Sequence, residues 1–351
     1  MSFKNIHRQQ SIMGLLYDLS TEYKTLSIVG MAKNAGKTTA LNYLIEEADD
    51  EMIRLGITST GRDGETSDLV TGTEKPRVYL YEDTVVSVPA QLYELAEAGL
   101  EILELTKFGT AIGDIMLCRV AESGYVQIAG PVATADNKKM CARMFDLGAE
   151  LILIDGAIDR KSIAAPETSD AIILSTGAVL SRSLKKVVEE TSHIVNLYRL
   201  PELEDETARQ ALAETRGEER VTLIDRDGGV QRLELATGLG GSRFIDDAIT
   251  EDTRYVYIPG AFTNSVIADI QTEKLKRVRF ILKDPTRIFI NVMDWRQLIK
   301  RGFSVSVLKN IRIAAVTVNP FSPGGYSFEH GVLRDTMQEA LPDIPVIDVR
   351  M

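Results

Sequence analysis

Short apolar runs alternate with amphipathic stretches along the first two hundred positions of the chain. The runs "LSIVG" (26–30), "IRLGITST" (53–60), "RVYLYE" (77–82), "VVSV" (85–88), "YVQIAG" (125–130), "ELILIDG" (150–156) and "AIILS" (171–175) predict strands. They are too short for helices and rich in Val, Ile and Leu. Between them, the stretches 37–48, 89–100, 135–147 and 181–197 predict helices from their apolar spacing. Strands that alternate with helices pair into a mainly parallel sheet covered by those helices, so the fold class is α/β. The apolar patch at 12–16 is too short for a signal-peptide core and predicts a short amphipathic helix before the first strand.

The acidic stretch "PELEDETARQALAETRGEER" (201–220) interrupts this rhythm. It predicts a boundary between a nucleotide-binding domain over 1–200 and a C-terminal α/β domain over 221–351. The stretch itself reads as a linker or a solvated helix, because several of its charges fall three or four apart. Beyond it, "VTLIDRDGGVQRLELATG" (221–238) predicts a hairpin turning at Asp227-Gly228-Gly229. Strands follow at "RYVYIPG" (254–260), "VRFILKD" (278–284), "IFINV" (288–292) and "IRIAAVTVNP" (311–320). The loop "NPFSPGGYSFEHG" (319–331), a helix at 333–341 and the strand "IPVIDVR" (344–350) close the sequence.

Composition narrows the function. Hydrophobic residues make up 44% of the 351 positions and charged residues 26%, the balance of a soluble globular protein. A formal net charge of −11 argues against a nucleic-acid partner, whose binding surfaces are basic. No window approaches the roughly 18 apolar residues of a membrane span, so a cytoplasmic protein without a membrane partner is expected. Cys118 and Cys141 are far apart and the chain has three histidines, which excludes a zinc or disulfide framework and predicts two free, buried thiols.

The candidate chemistry sits in "SIVGMAKNAGKTTALNYLIEE" (27–47), where a buried strand gives way to a tight loop and a helix. A phosphate site needs inward N–H groups, a helix N-terminus and a lysine. Gly30, Asn34, Ala35, Gly36, Lys37, Thr38 and Thr39 are the candidate nucleotide-binding residues. Gly36 removes a Cβ from the phosphate's path, and Asn34 tolerates the left-handed torsions that curl the loop. Lys37 would reach the β- and γ-phosphates, and the Thr38 hydroxyl would ligate Mg2+. Thr39 would add a donor to the α-phosphate. The spacing is unusual, with five residues between Gly30 and Gly36 rather than four, and Met31 where the first glycine normally stands.

A carboxylate at the end of a neighbouring strand would complete the metal site. Asp155, after four apolar residues in "LILID", is the candidate metal ligand and catalytic group; a cap or turn aspartate is the alternative. In "ITSTGRDGE" (57–65), Thr60, Arg62, Asp63 and Glu65 could contact the γ-phosphate side, with Asp63 a catalytic candidate. Asp-Gly turn chemistry explains that segment equally well. The Asn/Thr-Lys-x-Asp guanine signature is missing: "NKKM" ends in Met140 and "TKFG" in Gly109, which favours ATP. Lys33 stands four residues before Lys37, not the five of partition-type ATPases, and is a candidate phosphate contact in a dimer.

Four segments together carry a family resemblance: "VGMAKNAGKTTALNYL", "GITSTGRDGE", "LILIDGAIDRKSIAAPETSDAIILSTGAVLS" and "NPFSPGGYSFE…LPDIPVIDV". They resemble the small reactivase subunit of lysine 5,6-aminomutase, and the long loop resembles that of the dethiobiotin synthetase-like branch of phosphate-loop NTPases. The resemblance implies a P-loop NTPase fold with ATP and Mg2+ as cofactors. It also implies an accessory ATPase of lysine fermentation that releases damaged cobalamin from an aminomutase client, acting with a MutS-like reactivase ATPase subunit. Asp159, Arg160 and Lys161 are then nucleotide-sensing or partner-facing residues, or else a solvated turn. Phe321, Tyr326 and Phe328 are candidate docking anchors that could equally pack on the sheet. His7, His193 and His330 lack a cobalamin-ligating context, and no pyridoxal-phosphate lysine motif stands out, so neither cofactor is expected to bind tightly. The alternatives are a dethiobiotin synthetase-like ligase, a cofactor-biosynthesis or metal-insertion NTPase, and an ATP-binding scaffold; an ornithine aminomutase client also stays open.

Overall fold

The computed structural model describes residues 14–60, 77–110, 113–131, 133–156, 168–214, 219–329 and 331–350. Nine strands precede residue 180: β1 (Thr25–Gly30), β2 (Leu55–Ser59), β3 (Val78–Leu80), β4 (Val85–Pro89), β5 (Gly99–Thr110), β6 (Gly113–Glu122), β7 (Gly124–Val126), β8 (Leu151–Asp155) and β9 (Ala171–Gly177). Then come β10 (Thr222–Asp225), β11 (Val230–Arg232), β12 (Thr253–Ile258), β13 (Arg279–Leu282) and β14 (Ser304–Val307). The last four are β15 (Ile313–Asn319), β16 (Phe321–Ser322), β17 (Tyr326–Ser327) and β18 (Val346–Asp348). The chain divides into two compact units. The first takes Met1–Ile163, Glu167–Leu184 and Ala314–Met351, and the second Ala164–Pro166 and Lys185–Ile313.

The first unit is an α/β layer structure around a nine-stranded sheet of order β18-β15-β9-β1-β8-β2-β4-β6-β5. Parallel pairing joins β15 to β18, and runs unbroken from β9 through β1, β8 and β2 to β4. The β5–β6 hairpin then adds an antiparallel edge. Leu26 to Gly30 of β1 are all buried, as a central parallel strand covered on both faces requires. The helix α1 (Leu15–Glu22) and the helix α2 (Lys37–Asp50) pack against it. Ala40, Leu41, Leu44, Ile45 and Ala48 form the buried stripe of α2 and share one core with Leu26, Ile28, Leu16 and Leu19. Two pairs of buried hydroxyls link neighbouring strands: Ser87 donates to Thr58 at 2.7 Å, and Thr317 to Ser175 at 2.8 Å across β15 and β9.

The second unit holds a five-stranded sheet, β11-β10-β12-β13-β14, parallel from β12 to β14 and antiparallel at β10 and β11. Phe262, Phe280, Phe303 and Trp295 cluster in its core with ring centroids 5.2 to 5.9 Å apart. Among the described residues no helix is long and apolar enough to cross a membrane.

Three expectations are corrected. The stretch 221–351 is not one domain: 314–351 return to the first sheet, where the apolar β15 is buried beside β9. Of the two readings of 201–220, linker or helix, the described residues take the helix. The stretch carries the helix Glu206–Ala213, capped by the Asp205 side chain, and Leu203, Ala208 and Leu212 are buried with Ile224, Tyr255 and Ile281. Finally, 89–100 forms a single helical turn, Ala90–Tyr93, before β5 begins, and 288–292 forms no strand, because the Asn291 side chain caps the helix Val292–Lys300.

Candidate functional site

The candidate site lies at the C-terminal ends of the parallel strands, where open α/β sheets place their ligands. Between β1 and α2 the loop turns through two left-handed residues, Asn34 at φ 65° and Gly36 at φ 101°. Met31 N–H donates to Ser175 O at 2.9 Å and Ala35 N–H to Ala32 O at 3.2 Å, which ties the loop to β9 and closes its turn. At Gly36 a side chain is excluded twice, by the torsion and because a Cβ would lie 2.9 Å from Asn319 Cβ.

The N-terminus of α2 is open. Gly36 at the cap offers no side-chain hydrogen bond, and the first turn contains no acidic residue. A helix of 14 residues therefore presents uncapped N–H groups and the positive end of its dipole to the loop. The Lys37 stem lies across Gly30, where a Cβ would come within 2.9 Å of Lys37 Cγ. Its ammonium donates to Gly156 O and stands 3.6 Å from Asp155 Oδ1. The lysine side chain is 11% exposed and the aspartate side chain 34%. Pairing of β1 with β8, Ile28 opposite Asp155, is what sets the carboxylate beside the lysine.

A cavity of about 500 Å³ opens on this loop, inside the range of small-molecule sites. Ala32 to Thr39 line one side; Asn319, Phe321, Ser322, Pro323 and Arg350 line the other. Its lining contains Lys33, Lys37 and Arg350 and no carboxylate, against the chain's net charge of −11. Such a concentration of cations around an uncapped helix start favours an anion. Gly30 and Asp155 flank the lining residues through their contacts with Lys37.

Thr60, at the end of β2, donates its N–H to Asp155 O at 3.1 Å, and its buried hydroxyl meets no partner among the described residues. Arg62, Asp63, Glu65, Asp159, Arg160, Lys161, His7 and His330 lie outside the described residues. His193 packs edge-on to Trp295 in the second unit. No group of three or more His, Cys, Asp or Glu that could hold a metal occurs among the described residues. Cys118 and Cys141 are free and buried, and burial pushes their thiols up to about 11 and about 12, which disfavours the reactive thiolate.

The far wall of the cavity was not read as part of the site. Phe321 was expected as a docking anchor or packed on the sheet; it is 41% exposed, with the Arg350 guanidinium 5.9 Å from its ring centroid. The Tyr326 hydroxyl donates to Ala178 O, and Arg182 lies 5.1 Å from the Tyr326 ring, so that side chain packs back on the first unit. The usable signal was the position of Asn319, the last residue of a parallel strand. Fold and site define an α/β protein with a large, mostly parallel sheet and a cationic cavity at its strand ends. No family model, curated protein or solved structure matches the chain.

Proposed function

We propose that the chain is a P-loop NTPase that binds ATP with Mg2+ and couples that nucleotide to the reactivation of an adenosylcobalamin-dependent aminomutase. One observation carries the nucleotide reading: Lys37 opens an uncapped helix after a left-handed loop and stands 3.6 Å from a carboxylate on the neighbouring strand. In this reading the N–H groups of the loop and first turn of α2 hold the phosphates, and the Lys37 ammonium exchanges Gly156 O for phosphate oxygen. The Thr38 hydroxyl and Asp155 would hold Mg2+, which supplies charge neutralisation at the phosphates. With one carboxylate in that set, the metal depends on the nucleotide for its remaining ligands, so Mg2+ alone binds weakly.

The client is supported by the four-segment resemblance, above all "DGAIDRKSIAAPETSDAIILSTGA" (155–178). A reactivase must favour, in its ATP state, the conformation from which damaged cobalamin leaves; only a difference in affinity between two states can do this. The test is reactivation of cobalamin-inactivated aminomutase by this chain and a MutS-like partner subunit. Recovery of activity with Mg-ATP and none with Lys37→Ala supports the function; equal recovery with the variant refutes it.

A further inference from the structure

Another surface lies at the far end of α2 from the Lys37 loop. The helix has 14 residues, which puts its C-terminal end about 20 Å from that loop. Near it the two-stranded sheet of β3 and β7 buries Val78, Leu80 and Val126 in the core that α2 shares. Strand alternation turns Tyr79 and Tyr125 outward, directly opposite each other in the ladder, and Tyr81 follows two residues after Tyr79. The Tyr79 ring meets those of Tyr125 and Tyr81 edge-on, at 5.2 and 5.3 Å between centroids. Tyr79 and Tyr125 are exposed and Tyr81 is half-buried. Carboxylates border these rings. Glu46, Asp49 and Asp50, near the C-terminal end of α2, are exposed, and no ion pair holds any of them among the described residues. The last turn of α2 contains no basic residue. The three acids therefore sit at the negative end of the helix dipole, where anions are disfavoured and a cation is favoured. Burial raises the Tyr81 hydroxyl above its ordinary range, and the charges of Glu46, Asp49 and Asp50 raise it further, so acids and rings share one neighbourhood. Arg77, two residues before Tyr79, is neutralised by Glu97.

We propose that Tyr79, Tyr81 and Tyr125, with Glu46, Asp49 and Asp50, form a docking surface for an arginine-bearing segment of a partner protein. The surface does not depend on the phosphate-loop reading. Tyrosine rings attract a cation through their quadrupole, and a planar guanidinium stacks on them as an ammonium cannot. The unpaired carboxylates supply the counter-charge, so ring contact and charge select the same occupant. A second copy of the chain, docked through the same patch about a two-fold axis, would bring acids against acids.

Fluorescence anisotropy with the full chain and three short labelled peptides, alternating Arg-Gly, Lys-Gly and citrulline-Gly, tests the proposal. The arginine peptide is expected to bind tightest, the lysine peptide more weakly, and the citrulline peptide, which keeps the shape without the charge, not at all. Tyr79→Ala combined with Tyr125→Ala should weaken the arginine peptide about ten-fold, whereas Tyr79→Phe with Tyr125→Phe, which keeps both rings, should retain it. Asp49→Lys with Asp50→Lys alters only exposed positions and should also weaken it, so the test survives if the alanine pair fails to fold. Glu251→Gln with Glu273→Gln, in the second unit, should change nothing. No binding of the arginine peptide, equal binding of the citrulline peptide, or binding indifferent to the loss of both rings and to the reversed charges would overturn the proposal. So would a loss matched by the glutamine pair, or a dimer in sedimentation that Tyr79→Ala breaks, which would assign the surface to a second copy.

Discussion

The two walls of the cavity differ in how the chain builds them. The loop wall is one contiguous stretch, 32–39, in which torsion, helix start and lysine all follow from local residue choice. The opposite wall joins Asn319 at the end of β15 and the residues after it to Arg350 after β18, segments far from the loop in sequence. One wall is a motif; the other exists only once the sheet has formed. Substitutions in the first should therefore strike any phosphate-bearing ligand.

The largest effect is expected at Lys37. Lys37→Ala removes a charge-assisted contact and should weaken ATP and tripolyphosphate alike by roughly ten- to hundred-fold, read by equilibrium binding. A loss confined to ATP would contradict that expectation. Gly36→Ala comes next and couples the walls, since its Cβ would press on Asn319. The left-handed torsion costs about 1–2 kcal/mol for a side chain, so a lower melting temperature should accompany weaker binding of both ligands.

Asp155→Asn should act on the metal. ATP affinity in the absence of Mg2+ should persist or rise, while the gain on adding Mg2+ should shrink, measured by titration with and without EDTA. An unchanged Mg2+ dependence would remove Asp155 from the metal site. The smallest effect lies away from both walls, at Glu47 of α2, which accepts the Leu16 N–H at 3.1 Å and closes the N-terminus of α1. Burial raises its carboxyl above the ordinary range, partly opposed by the backbone hydrogen bonds it accepts. A folded state that binds the extra proton loses stability as pH rises from the ordinary carboxylate range through the raised value. Glu47→Gln should flatten that slope in melting temperature against pH; an unchanged slope would assign it elsewhere.

The strand, loop and helix that make the first wall were legible in advance. β1, α2 and β8 announce themselves as an apolar run, a Gly-Lys-Thr start and a second apolar run ending in aspartate. The β5–β6 hairpin was missed because β5 is an edge strand with little buried surface, so its pattern does not alternate cleanly. The division into units was misjudged for a topological reason. Residues 185–313 interrupt the first unit, and nothing in "IAAVTVN" (313–319) says that its partner is β9 rather than its nearer neighbours. Arg350 was invisible for the same reason, because its relation to Phe321 depends on the pairing of β18 with β15.

Calorimetric titration of wild-type and Lys37→Ala chains with Mg-ATP tests the nucleotide site most directly. Saturable uptake of one ATP per chain by the wild type, strengthened by Mg2+ and largely lost in the variant, is the expected result. No uptake by the wild type, or uptake indifferent to the loss of Lys37, would contradict it.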